Sequence, residues 1–474
     1  MPLKSALIDR IDKNIRSIMG RTNLPGMVVG VVYDGQPAWI QGYGYTNLAN
    51  QTPVTSSSVF RIASISKVLT AFAVLQLIED GILSLDDPVN HHLAEFQVKS
   101  ARPEDPPITI RHLLTHTGGL GELAPLLSYA NFRSPFGVAL KRQRLITLPE
   151  FYRNRFKADV SPSEKWAYAN HGFAILGQIV GEVCGSSFPQ VVREKIFQPL
   201  GMDHSDFLRE PHVEDELVTG YWKFLGGLRP VLDVNIITLA DGSLFTTADD
   251  FIKFLSILST DGGDVLPPMQ LKNMFLPYFQ LDPRLPAMGL GIFMESRQRW
   301  NGYRVGTHDG LWLGFHSSMY VAPKQGVGVF AFANGPGSGA LTAAFQTMKM
   351  VLPDSSAVFP QANVPDDPSI WSELVGSYRP RQGWNSNFRL LTSFGGSFRV
   401  EVRDDQLYIK SAIGTWRQGI LLRAADVDDP LAFVTSSGTP IIFYRNPSSK
   451  KIEGFYLRFH NIIKRDSYDA QTSA

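Results

Sequence analysis

A serine followed three residues later by a lysine, Ser64-Ile65-Ser66-Lys67, is the first place in this chain where residue types and spacing allow covalent chemistry. On a helix, positions i and i+3 share a face, so the hydroxyl and the amine would lie side by side. Lys67 is the only lysine in an apolar run (Val68, Leu69, Phe72, Val74, Leu75, Leu77). Desolvation there disfavours the ammonium and readies the amine to take a proton. Ser64 would sit near the N-terminus of that helix, where free backbone N–H groups favour the negative charge of a tetrahedral intermediate. Ser64 is thus a candidate nucleophile and Lys67 a candidate base.

Two later motifs add to this pair. Tyr168-Ala169-Asn170 precedes a helical pattern. A free phenol titrates near about 10, so Tyr168 needs a neighbouring cation to serve in proton transfer, and Lys67 is the candidate. Asn170 offers an amide to Lys67 and to a substrate carbonyl. His308-Asp309-Gly310 ends a strand pattern that includes Tyr303 and Val305. Gly310 admits a close backbone approach, and the N–H of Leu311 would pair with that of Ser64 as an oxyanion hole. His308 on its own reads more readily as a structural histidine. The same strings recur at Ser448–Lys451 and at Tyr444-Arg445-Asn446. There they fall in a turn and a strand of another segment, in reverse order and without a third partner.

These residues need elements to hold them. Residues 26–46 alternate as two strands joined by the hairpin dipeptide Asp34-Gly35. Residues 65–80 read as a helix apolar nearly all round, which belongs inside a molecule. Helical patterns recur at 171–183, 187–197 and 248–259, strand patterns at 288–295, 303–308, 315–322 and 327–334, and a last helix at 338–351. Strands therefore bracket a helical middle. The simplest packing is an α+β domain over 1–355, with one antiparallel sheet of about five strands, helices on both faces and the helical middle between the bracketing strands. Residues 352–370 turn to Pro, Asp, Ser and Asn and read as a linker. Beyond it, short segments at 388–393, 397–403, 406–411, 418–423, 431–435, 440–445 and 453–459 alternate with turns. They predict an all-β domain over 366–474, closed into a barrel that removes exposed edges.

Composition sets the remaining bounds. Hydrophobic residues make up 44% of the 474 residues and charged residues 19%, enough for large cores. With 45 Lys plus Arg against 44 Asp plus Glu, no nucleic acid or anionic membrane is expected as partner. The single cysteine, Cys184, allows no intrachain disulfide, and the charged start (Asp9, Arg10, Asp12, Lys13) is unlike a signal peptide. The expectation is a cytoplasmic protein with no membrane span.

With these motifs in hand, the chain resembles the serine β-lactamase-like family of class C β-lactamases, DD-peptidases, family VIII carboxylesterases and D-aminopeptidases. The similarity rests on Phe60–Lys67, on Ile108-Thr109-Ile110-Arg111-His112-Leu113-Leu114-Thr115-His116-Thr117-Gly118-Gly119, on Trp166–Asn170, and on Pro199-Leu200-Gly201-Met202. Ala240-Asp241-Gly242-Ser243-Leu244 and Thr247-Ala248-Asp249-Asp250 extend it, over roughly residues 5–350. The resemblance implies a Ser64 acyl-enzyme, proton shuttling by Lys67 and Tyr168, substrate orientation by Asn170, and an oxyanion held by the N–H groups of Ser64 and Leu311. It implies no metal and no cofactor, and a lipocalin-like C-terminal domain. Where β-lactamases of this family carry Lys-Thr-Gly, this chain has His308-Asp309-Gly310, so poor antibiotic hydrolysis is expected.

The substrate would be a small ester or a short peptide or amide. Asp309 in the pocket would welcome a free amine and favour a D-aminopeptidase. The aromatic residues Trp312, Phe315, Trp166 and Phe132 would favour an esterase. An acyltransferase uses the same site, and a homo-oligomer is compatible with the sequence. A silent scaffold is disfavoured because every motif member is present. Metal hydrolysis is disfavoured because His91-His92 and His112/His116 lack a His-Glu-x-x-His pattern.

Overall fold

The computed structural model describes residues 3–130, 137–140, 143–352, 364–436 and 438–465. The centre of the expected linker and Phe132 lie outside these residues. The first sheet has eight antiparallel strands. Five long ones form its middle, in the order Gly306–Trp312, Phe315–Ala322, Val327–Ala333, Gly26–Tyr33, Gln36–Asn47. Two-residue strands extend both edges. The first strand of the chain pairs with the last of the segment, Val29 opposite Ala331, so the two ends meet in space. Asp34 and Gly35 both take positive φ in the hairpin turn, as a two-residue loop demands.

The Gly26–Tyr33 strand is apolar on both faces because helices cover both. Val28 and Val32 join Phe330 and Phe332 in a core with the Ser66–Glu79 and Ala248–Leu258 helices. Val29 and Val31 face the helices Ser5–Thr22 and Gly339–Val351. Every residue from Ser66 to Leu77 is buried, as a helix without a polar stripe requires. The helical middle contributes Asn170–Cys184 and the Phe188–Val192 helix, which continues to Phe197 as a π-helical turn.

The C-terminal segment is a closed barrel of eight antiparallel strands, with Tyr378 opposite Lys464 at the closure. Its centre is aromatic: Tyr378, Phe398, Phe443 and Phe455.

Three local expectations are corrected. The strand at His308 runs from Gly306 to Trp312, so the motif lies inside it rather than at its end. Tyr303 and Val305 alternate convincingly, yet strand pairing is set by the turn at Leu313-Gly314 that joins this strand to Phe315–Ala322. Residues 288–295 form two short strands, Ala287–Met288 and Phe293–Met294, rather than one. Residues 388–393 are not a strand: Phe388–Phe394 is a helix, preceded by a 3₁₀ turn at Asn385–Asn387. Phe388, Leu391 and Phe394 fit a helical face as well as Phe388 and Leu390 fit alternation, and short apolar runs do not separate the two.

Candidate active site

Ser64 sits in a 3₁₀ turn, Ala63–Ile65, directly ahead of the buried helix. Ala63 is held at φ 47°, a left-handed conformation that costs a non-glycine residue about 1–3 kcal/mol. Two neighbours hold the turn there. The hydroxyl of Ser66 donates to Ala63 O at 2.6 Å and accepts from Leu244 N at 3.1 Å. The Ser317 hydroxyl donates to Ile62 O at 2.6 Å.

Lys67 is fully buried and its Nζ has three acceptors around it. These are Ser64 Oγ at 3.2 Å, Asn170 Oδ1 at 2.7 Å and the backbone oxygen of Asp241 at 2.7 Å. Nζ also lies 4.8 Å from the ring centre of Tyr168. The structure therefore brings together Ser64, Lys67, Tyr168 and Asn170 from two separate stretches of chain.

The Gly306–Trp312 strand forms the facing wall. Its short partner Phe293–Met294 ends opposite Thr307, leaving the edge from His308 onward without a strand neighbour among the described residues. A Cβ at Gly310 would lie 2.2 Å from Ile62 O, so only glycine lets the strand pass this close to the nucleophile turn. His308 is buried, with its ring 6.4 Å from that of Tyr168. Burial, followed by the charge of Lys67, pushes its pKa down to about 3, so it is neutral at pH 7. Leu311 and Trp312 line a cavity of about 310 Å³ together with Ser64, Glu122 and Asn170.

Asp309 departs from expectation. Alternation along the strand turns it to the face opposite His308. There its carboxylate accepts from Ser318 Oγ at 2.6 Å, and its charged surroundings are Arg458, Glu295 and Arg299. His112 and His116 are packing residues, as expected: His112 sits in the cap at Thr109, and His116 accepts from Ala169 N at 3.1 Å with its ring 4.4 Å from Tyr168. Among the described residues, no group of three or more His, Cys, Asp or Glu side chains is arranged to hold a metal ion.

Four residues of the site escaped sequence reasoning. Asp241 is buried beside Lys67, and burial raises its pKa to about 6 against the opposing pull of the Lys67 charge. Glu122 accepts from Asn170 Nδ2 at 3.0 Å. Arg389 and Phe459 come from the barrel. The ring of Phe459 stacks on Trp166 at 4.7 Å, and the Arg389 guanidinium lies 3.8 Å from the centre of the Tyr168 ring. Asp241 fell within a family-like string, but nothing in the spacing of the other three marked them.

The buried histidines also set an acid limit on stability. Burial pushes His171, His308 and His460 each to about 3, from an ordinary value near about 6.5. Between those values the unfolded chain binds a proton at each and the folded chain does not. Stability is therefore present above about pH 6.5 and lost as pH falls toward 3, by about 1.4 kcal/mol per unit for each histidine. Asp241, raised rather than lowered, opposes this between about 4 and 6. Urea midpoints should fall steadily from pH 6.5 to 4, and His460→Gln should flatten the slope; a flat wild-type profile would contradict the assignment.

The fold thus sets a serine and a lysine in contact at the start of a buried helix. The Beta-lactamase family model matches residues 11–348, and the chain belongs to that family. It is 24% identical over 328 residues to "Protein flp" of Staphylococcus aureus, a match covering 69% of this chain and 62% of that protein's length. It is 24% identical over 403 residues to "Penicillin-binding protein 4*" of Bacillus subtilis, covering 78% of this chain and 83% of that one. Among solved structures, the octameric penicillin-binding protein homologue from Pyrococcus abyssi superposes with a TM-score of 0.63 at 23% identity, over 96% of this chain and 100% of the other. EstCE1, described as a hydrolase with promiscuous acyltransferase activity, gives 0.61 at 22% identity, over 73% and 98%. No helix among the described residues is long and apolar enough to cross a membrane.

Proposed function

We propose that this chain is a serine hydrolase that cleaves esters of small, apolar acyl groups through an acyl-enzyme on Ser64. The observation that carries this reading is the 3.2 Å contact between Lys67 Nζ and Ser64 Oγ, made on a buried helix with Asn170 at 2.7 Å. Ser64 Oγ attacks the ester carbonyl as its proton passes to the Lys67–Tyr168 pair. The oxyanion is held by the N–H groups of Ser64 and Leu311. The pair then returns the proton to the departing alkoxide. Water enters, gives a proton to the same pair, attacks the acyl carbon and releases the acid with Ser64 restored. An alcohol entering in place of water would make the same site an acyltransferase.

Esters are favoured over peptides with a free amine by the carboxylates. Asp309 faces away, Glu122 is engaged by Arg389 and Asn170, and Asp241 is buried against Lys67. The first two are thereby occupied, and the third is held in the interior beside Lys67. The cavity walls supply Val138, Phe151, Trp312 and Phe388 for an acyl chain. The test is kcat/KM on p-nitrophenyl butyrate and D-alanyl-p-nitroanilide, with Ser64→Ala as control. Ester turnover should exceed anilide turnover, and Ser64→Ala should lose a factor of about 10⁴ or more. Dominant anilide turnover would make the protein a D-aminopeptidase. With His308 neutral, no fixed cation awaits the carboxylate of a β-lactam at that position. Nitrocefin should be turned over at least about 100-fold less efficiently than the ester.

A further inference from the structure

We propose that Arg389, carried by the barrel, is a positioning residue of the catalytic centre: it fixes Tyr168 from the solvent side and, through Glu122, fixes the Asn170 amide. The inference rests on the hydrolase reading above. The guanidinium lies 3.8 Å from the Tyr168 ring centre, and Lys67 Nζ lies 4.8 Å from the same centre. Tyr168 is 6% exposed, while the Arg389 side chain is 51% exposed and so forms the outer cover of the ring. The guanidinium plane is fixed by a two-point contact, Nε to Glu122 Oε2 at 2.8 Å and Nη2 to Glu122 Oε1 at 3.0 Å. Glu122 Oε1 also accepts from Asn170 Nδ2, and Asn170 Oδ1 accepts from Lys67. A continuous polar chain therefore runs from the barrel to Ser64 Oγ.

The docking around this contact is built for it. Asn385 accepts from Leu123 N at 2.8 Å and donates to Leu123 O at 2.7 Å, clamping the residue next to Glu122. Gly121 has no room for a side chain, since a Cβ there would lie 2.1 Å from the Asn385 amide carbon. Ser386 donates to Asp159, and Lys165 donates to Asn387 Oδ1 at 3.1 Å. These bonds seat the Phe388–Phe394 helix over the site, so the hydrolase cleft is incomplete without the barrel.

The consequence falls on the chemical step. During proton transfer Tyr168 and Lys67 must keep their geometry to Ser64, and a negative charge on the phenol would lie against the guanidinium. The groups facing Tyr168 are Lys67, His116, His308 and Arg389, of which both histidines are held neutral by burial. Arg389 is thus the one outer cation on the ring among the described residues.

The experiment uses the full chain and p-nitrophenyl butyrate. Arg389→Ala should lower kcat about 100-fold with little change in KM. Free guanidinium chloride at millimolar concentration should restore about tenfold of that loss, and Arg389→Lys should keep an intermediate rate. Arg284→Ala, which cuts a separate link to Asp429 of the barrel, should leave kcat unchanged. The inference is overturned if Arg389→Ala keeps the wild-type kcat while Ser64→Ala is inactive, a result that leaves the hydrolase reading intact. It is equally overturned if Arg389→Ala and Arg389→Lys fail alike, guanidinium rescues neither, and both unfold at lower temperature, which would mark a purely structural contact. Ester turnover that survives Ser64→Ala would instead sink the underlying reading.

Discussion

Replacing Lys67 by methionine should lower kcat/KM on p-nitrophenyl butyrate by about 10³-fold or more. Methionine matches the length and flexibility of lysine and suits a buried helix, so the change isolates the amine. Three functions are lost together. Ser64 Oγ loses its hydrogen-bond partner at 3.2 Å, Tyr168 loses a cation at 4.8 Å, and Asn170 loses the donor that fixes its oxygen. Because the three share one atom, Nζ, their losses will not add. Ser64→Ala combined with Lys67→Met should be hardly slower than either alone. The far-ultraviolet circular dichroism of the variant should match wild type, which separates lost chemistry from lost structure. A folded Lys67→Met enzyme at the wild-type rate would show that the amine takes no part.

Gly310→Val should damage both rate and stability, although position 310 contributes no side-chain chemistry. A Cβ there meets Ile62 O at 2.2 Å and Ser317 Oγ at 2.2 Å. The serine rotor can turn away, but the Ile62 carbonyl belongs to the backbone of the nucleophile turn and cannot. The strand must therefore move off the turn, carrying the Leu311 N–H with it. A displacement near 1 Å costs about 100-fold in rate, and overpacking costs about 1–3 kcal/mol of stability. Gly310→Ala should give a smaller loss of both. Gly20→Ala is the contrast: no atom lies within 4 Å of a Cβ at that helical position. It should raise stability by up to about 1 kcal/mol and leave kcat untouched. If Gly310→Val were as harmless as Gly20→Ala, the strand would not form the facing wall of the site.

The sequence reveals the site and the fold to different depths, and the reason is range. Ser64 and Lys67 are neighbours on one helix, and a helix without a polar stripe announces its own burial, so this half of the site was legible residue by residue. The pairing of Gly26–Tyr33 with Val327–Ala333 followed from strands at both ends of a helical middle. A motif gives neighbours in the chain but not the face each takes, and strand alternation separates Asp309 from His308. Arg389 and Glu122 were missed because their pairing joins residues 267 apart, across a segment read as another domain. The misreading of Phe388–Phe394 as a strand hid it further, since a barrel strand has no reason to reach into a neighbouring cleft. Pairing between distant elements leaves no period in the sequence, and packing alone decides it.

The most direct test of the acyl-enzyme is rapid acid quenching during turnover of p-nitrophenyl butyrate, followed by peptide mass mapping. One butyryl group is expected on the peptide that carries Ser64, absent from Ser64→Ala and accumulating more slowly in Lys67→Met. A butyryl group on another residue, or steady turnover with no acylated peptide, would contradict the account.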